Sequence, residues 1–183
     1  MEWLMFSYWL PPEPSRKRVS IWRQLKKIGA LSTEGAGWLL PNVDPHSKSF
    51  SELVHNVEVM GGTANLYLVN HFTEEQEQRT ITKFQQERDK EYSELVAECH
   101  KALKHIEWEY ERKEFNFEEV EELEGDVEKI KRWLAEITKR DVFHSDVRNE
   151  VGIILDKVEK SLVDFIEKTY EETERSKGEN NHS

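Results

Sequence analysis

The pattern of hydrophobic positions changes character near Thr73. Before it, short stretches that alternate or fill both faces are interleaved with two brief helical stripes; after it apolar positions recur at steps of three and four throughout. Trp3 to Leu10 is aromatic and apolar on both alternating faces, with Trp3, Met5 and Trp9 on one and Leu4, Phe6, Tyr8 and Leu10 on the other, as in a central strand. Pro11, Pro12 and Pro14 forbid a longer ladder, and Ser15 stands where a helix cap would. Ile21, Trp22, Leu25 and Ile28 then form a helical stripe ending at Gly29, which predicts that Trp22 is buried against the sheet. Between Leu31 and Pro41, two short extended pieces flank Gly35-Ala36-Gly37 and read as a hairpin. Ser49 and Glu52 have capping-box spacing, and Phe50, Leu53, Val54, Val57 and Met60 make a second stripe that stops at Gly61-Gly62. Thr63 to Phe72 alternates as a fourth strand. The order is βαββαβ, that of the ferredoxin-like split βαβ arrangement, with two helices on one face of a four-stranded antiparallel sheet.

From Thr73, itself at capping-box spacing from Gln76, no proline or glycine interrupts the chain until Gly125. Tyr92, Leu95, Cys99, Ala102, Ile106 and Tyr110 form one amphipathic stripe. Val120, Leu123, Val127, Ile130, Leu134 and Ile137 form a second, and Val147, Val151, Ile154, Val158, Leu162 and Phe165 a third. Breaks near Phe115-Asn116-Phe117 and Arg140-Asp141 divide the region into helices over 73–113, 117–139 and 145–174, with Ser145 capping the last. The expectation is an α+β chain: a ferredoxin-like unit over 1–72, an antiparallel long-helix extension over 73–174 and a disordered tail over 175–183.

A length of 183 residues allows at most two packing units. Six Trp and eight Phe, in a chain that is 34% charged, exclude a disordered tail as the whole molecule. The formal charge of -11 is unevenly spread: residues 1–72 carry seven Lys/Arg against six Asp/Glu, and residues 73–183 carry 19 against 31. A surface this acidic does not wrap nucleic acid as a whole. Cys99 is the single cysteine, so no internal disulfide forms and a reducing cytoplasm fits. The apolar start is too short to span a membrane and lacks a basic leader.

Candidate chemistry is sparse. Glu87, Glu91, Glu94, Glu98 and His105 fall mostly opposite the apolar stripe of their helix, so they read as a solvated acidic face rather than a metal site. Cys99 lies on that stripe while His100 points about 100° away, which argues against a nucleophile and base. No Walker sequence, strand-linked GxGxxG or nucleophile elbow is present, and neither a catalytic residue nor a cofactor is assigned. A pocket lined by Ser7, Tyr8, Arg18 and His71 would be the place to look for an enzyme. The clearest local charge feature is the first helix, with six basic residues between positions 16 and 27. Arg16, Arg23 and Lys27, with Ser20, share its outward stripe and are the tentative nucleic-acid contacts.

In series, these segments resemble the amino-terminal domain of the chromate-resistance regulator family ChrB. The matching stretches are Trp3 to Pro11, Glu13-Pro14-Ser15, Arg18 to Ala30, Trp38-Leu39-Leu40-Pro41 and Gly61-Gly62. They continue with Phe84 to Arg88, Glu91-Tyr92 and Asp141-Val142-Phe143-His144-Ser145. The first part is more loosely similar to the ferredoxin-like module of PaaX-type repressors, and through it to a small nuclease-like subunit of CRISPR adaptation. Where the nuclease carries an Asp, this chain has Ser7, Tyr8 and Trp9, so no metal nuclease is read. The resemblance implies a bacterial cytoplasmic, non-enzymatic module of transcriptional control, without the carboxy-terminal domain of longer members and with no sensing residue carried over. Its expected partners are DNA, held weakly, or a protein partner or second copy bound through the acidic helices or a sheet edge.

Overall fold

The apolar segment near the start forms strand β1 (Trp3–Trp9), an inner strand of the sheet. The computed structural model describes residues 1–35, 37–44 and 46–180. β1 pairs antiparallel with β3 (Gly37–Pro41) on one side and with β4 (Thr63–Val69) on the other, and β2 (Leu31–Thr33) adds antiparallel to β3. The strand order is β2-β3-β1-β4. An inner strand covered on both faces needs apolar residues at every position, which explains the double-faced pattern of β1. Leu4 lies between Leu40 and Leu68, and Phe6 between Trp38 and Leu66. Phe6 stacks on Phe50 of helix α2 (His46–Val59) at 5.3 Å. On the opposite face Trp3 stacks on Phe84 at 5.7 Å and meets Phe72 edge-on at 5.9 Å.

Helix α1 (Ser15–Lys27) begins with Pro14 at the cap position and no side-chain cap bond, so Ser15 is its first residue and not its cap. Ile21 and Leu25 are fully buried, but Trp22 is 48% exposed, which corrects the expectation of a buried Trp22. The reason is rotation of the helix. Lys17 Nζ donates to the Met60 carbonyl at 2.8 Å, and Gln24 Oε1 accepts from Asn56 Nδ2 at 3.0 Å. These bonds turn the Lys17–Gln24 flank inward, and Trp22, on the other side of the Ile21–Leu25 line, turns out.

α2 starts at His46, so Ser49 sits within the helix and does not cap it. His46 is buried; its backbone N–H donates to the Val43 carbonyl at 2.7 Å, and its Nδ1 lies 2.9 Å from the Pro41 carbonyl oxygen. Strand β4 closes one side of the sheet as an outer strand. It carries no charged residue, and Leu66, Tyr67 and Leu68 are exposed in sequence along it.

The chain divides into two compact units, Met1–Phe84 and Gln85–Ser183, with the division falling inside helix α3 (Glu74–Arg112). The opening turns of α3 belong to the sheet unit. Thr73 and Gln76 form the reciprocal capping box: Gln76 N–H donates to Thr73 Oγ1 at 3.2 Å and Thr73 N–H to Gln76 Oε1 at 3.0 Å. Glu77 then accepts from the Trp3 indole at 3.1 Å.

The second unit holds the rest of α3 with α4 (Phe117–Arg140) and α5 (Val147–Asn180). Residue pairs that meet between α3 and α4 run in opposite directions, from Glu91 with Arg140 to His105 with Asp126, so these helices are antiparallel. Between α4 and α5, Lys131 pairs with Glu159 and Phe117 packs on Tyr170, again antiparallel. The core is a continuous set of aliphatic side chains with Tyr92, Cys99 and Phe165, spaced by three and four on each helix. α5 runs on to Asn180, through the stretch from Arg175 where the sequence suggested a tail, and Ser176 Oγ donates to the Glu172 carbonyl at 2.9 Å; residues 181–183 lie outside the described residues. No described helix is long and apolar enough to cross a membrane.

Candidate nucleic-acid interface

With α1 turned so that Ile21 and Leu25 face inward, its cations go to the other side. Arg16, Arg23 and Lys27 are all exposed, and among the described residues none of them makes an ion pair or a side-chain hydrogen bond. Ser20 is half-buried and its Oγ accepts from Gln24 Nε2 at 3.4 Å, so it belongs to the flank of this surface. Two apolar residues of α1 are also exposed, Trp22 at 48% and Val19 at 41%. The unpaired guanidinium and ammonium groups offer phosphate contacts on one helix face, and the indole offers a stacking plane on its flank. Of Ser7, Tyr8, Arg18 and His71, the structure brings Tyr8 and Arg18 near each other. Tyr8 stacks on Phe6 on one face of β1, so Ser7 points to the other. Burial pushes the Tyr8 hydroxyl up, with the Arg18 charge opposing it.

The motif residues of the long helices do converge. Tyr92 donates to Asp141 Oδ2 at 3.1 Å, and the Asp141 carboxylate accepts from the Ser145 backbone N–H at 3.1 Å. Ser145 Oγ donates to Asp89 at 2.6 Å and accepts from the Val147 N–H at 3.2 Å, which caps α5 as its position suggested. Glu91 holds Arg140 through two bonds, of 3.1 and 3.0 Å, and Arg88 lies buried beside it with Nε 3.3 Å from the same carboxylate. Glu91 is therefore no free member of an acidic face. Asp141 and Ser145 are buried, and their bonds tie the α4–α5 turn to α3. The chain matches the family described as the N-terminal part of protein ChrB over residues 18–176. It belongs to the ChrB N-terminal family. No curated protein and no solved structure matches it.

One polar group of this ChrB N-terminal chain was hidden in the sequence pattern. Glu109 is 1% exposed, and His105, Glu109 and Glu119 each present a donor atom within 4.8 Å of the others. Three positions after Ile106, Glu109 continues the inward line of α3 as well as Tyr110 does, so a core position is filled by a carboxyl group. The signal available in the sequence was that spacing, set against a residue type that reads as surface. Cys99 behaves as expected of a core thiol: it is fully buried, and burial pushes its thiol up, away from reactivity.

Proposed function

We propose that this chain is a non-enzymatic regulatory module associated with transcriptional control of chromate resistance, and that it contacts DNA weakly through α1. Membership of the ChrB N-terminal family supports the first part. The observation that carries the second is the exposed set Arg16, Arg23 and Lys27 on one face of α1, unpaired among the described residues. In this reading the sheet unit is a ferredoxin-like module of a bacterial cytoplasmic protein, and the helical unit is its acidic extension. The reading is tested by binding the purified protein to DNA from upstream of its own coding sequence, across a salt series and with and without chromate. Three phosphate contacts give a slope of log affinity on log salt of about -2.7. Reversing the charge of Arg16, Arg23 and Lys27 together should abolish that term. Tight binding that survives the reversal would refute the α1 assignment.

A second reading is favoured by β4, whose exposed Leu66, Tyr67 and Leu68 lie on an uncharged outer strand. Such an edge accepts another strand, from a protein partner or a second copy. Undetectable DNA binding at low salt, together with concentration-dependent association, would favour this scaffold reading.

A further inference from the structure

The helical unit carries a buried carboxylate whose surroundings do not satisfy it. Glu109 is 1% exposed and, among the described residues, its Oε2 has no hydrogen-bond partner. The nearest nitrogen groups stand off: Arg112 Nη1 is 3.8 Å and His105 Nε2 3.7 Å from Glu109 Oε1, both beyond hydrogen-bond distance. Arg112 is engaged elsewhere, since its Nη2 pairs with Glu114 and its guanidinium lies 4.1 Å over the Trp108 ring. Across from Glu109, α4 brings in Glu119, a second carboxylate. Two carboxylates and an imidazole directed at one another need a cation or a proton between them.

We propose that His105, Glu109 and Glu119 bind a single divalent transition-metal ion. His105 and Glu109 are four residues apart on α3 and so share a face. Glu119 is placed by the start of α4, where Asn116 Oδ1 accepts from the Glu119 N–H at 2.9 Å. The three donor atoms lie within 4.8 Å of one another, and metal–donor bonds of roughly 2.0–2.2 Å put the donors on a tetrahedral ion about 3.4 Å apart. Closing the site takes side-chain movement on the order of an ångström. Asp126 Oδ2 lies 3.9 Å from His105 Nδ1, on the side that would turn Nε2 toward the ion. A groove of about 390 Å³, lined by Ala102, His105, Asp126 and Ile130 among others, opens beside His105. One imidazole with two carboxylates suits Zn²⁺, Mn²⁺, Fe²⁺ or Co²⁺; the imidazole disfavours Ca²⁺ and Mg²⁺, and the lack of a thiolate disfavours Cu⁺. Two carboxylates also neutralise a dication.

The test uses the full chain stripped by a chelator, titrated with Zn²⁺ in a calorimeter and with Co²⁺ by visible absorption. One equivalent per chain should bind, with a rise in melting temperature. Glu109→Gln and His105→Ala should each weaken binding at least about ten-fold, the scale of losing a metal-site partner. His100→Ala, at an exposed position of the same helix, should leave it unchanged. Because Glu109 is in the core, Glu119→Gln at a half-buried position separates binding from folding and should show the same loss with the fold intact. Absence of saturable one-equivalent binding would overturn the proposal, as would binding that survives both Glu119→Gln and His105→Ala. Glu109→Gln that raises the melting temperature without any metal binding would also overturn it, showing that the carboxyl pair merely shares a proton.

Discussion

Trp22 and Leu25 stand one turn apart on α1 and meet opposite environments, with Leu25 fully buried and Trp22 48% exposed. Leu25→Ala should therefore cost about 2–5 kcal/mol, while Trp22→Ala should stay within about 0.5 kcal/mol, both read from denaturant midpoints. Equal losses would put Trp22 back in the core. The sequence shows that α1 has an apolar stripe, but its rotation is decided by Gln24 with Asn56 and by Lys17 with Met60, contacts that no local period reveals. Glu109 was illegible for a related reason: residue type argued for the surface and spacing for the core, and the packing of α3 settled it. Burial pushes the Glu109 carboxyl up, Glu119 adds to the effect and Arg112 opposes it. In the metal-free chain the folded state then keeps a proton that the unfolded state has released. The contribution of this residue to stability is greatest at low pH and declines as pH rises from the unfolded carboxyl value, about 4.3, through the folded one. Glu109→Gln should flatten that decline in the pH profile of unfolding free energy, and a profile left unchanged would count against a proton held there.

The elements were most legible where a cap and a stripe agree. Thr73 and Gln76 open α3, and Asn116 opens α4 by accepting from the Glu119 N–H. Asn116→Ala should cost roughly 0.5–2 kcal/mol, measured by thermal or denaturant unfolding; no measurable loss would mean that the turn, not the cap, sets the helix start. Ser15 and Ser49 misled because tertiary contacts decide those ends: Pro14 takes the cap position of α1, and His46 is held by Pro41 and Val43 three residues ahead of Ser49. The change of period at Thr73 likewise marks where helix begins, not where packing divides. Phe84 is on α3, yet it stacks on Trp3 of the sheet unit. A helical stripe states that a face is buried without stating what buries it.

For the molecule as a whole, charge separates along the same division as packing. Met1–Phe84 contains nine Lys/Arg and nine Asp/Glu, whereas Gln85–Ser183 contains 17 against 28, so the net charge resides in the helical unit. A neutral unit with a local basic face can approach phosphate, while an acidic one is repelled, and both effects fade with salt. Three charge reversals on the exposed face of α5 should consequently leave the salt slope of DNA binding intact, in contrast to reversals at Arg16, Arg23 and Lys27. A slope that falls equally in both variants would assign the binding to overall charge, with no role for α1.

The uncharged outer strand β4 also bears on colloidal behaviour. Seven consecutive residues without a lysine, a glutamate or a proline leave an outer row of backbone groups unguarded against any extended segment that unfolding releases. Leu68→Lys, at a position already 54% exposed, places a charge on that row at little cost to packing. Light scattering on heating should fall while the melting temperature hardly moves; scattering that persists would locate the adhesive surface elsewhere.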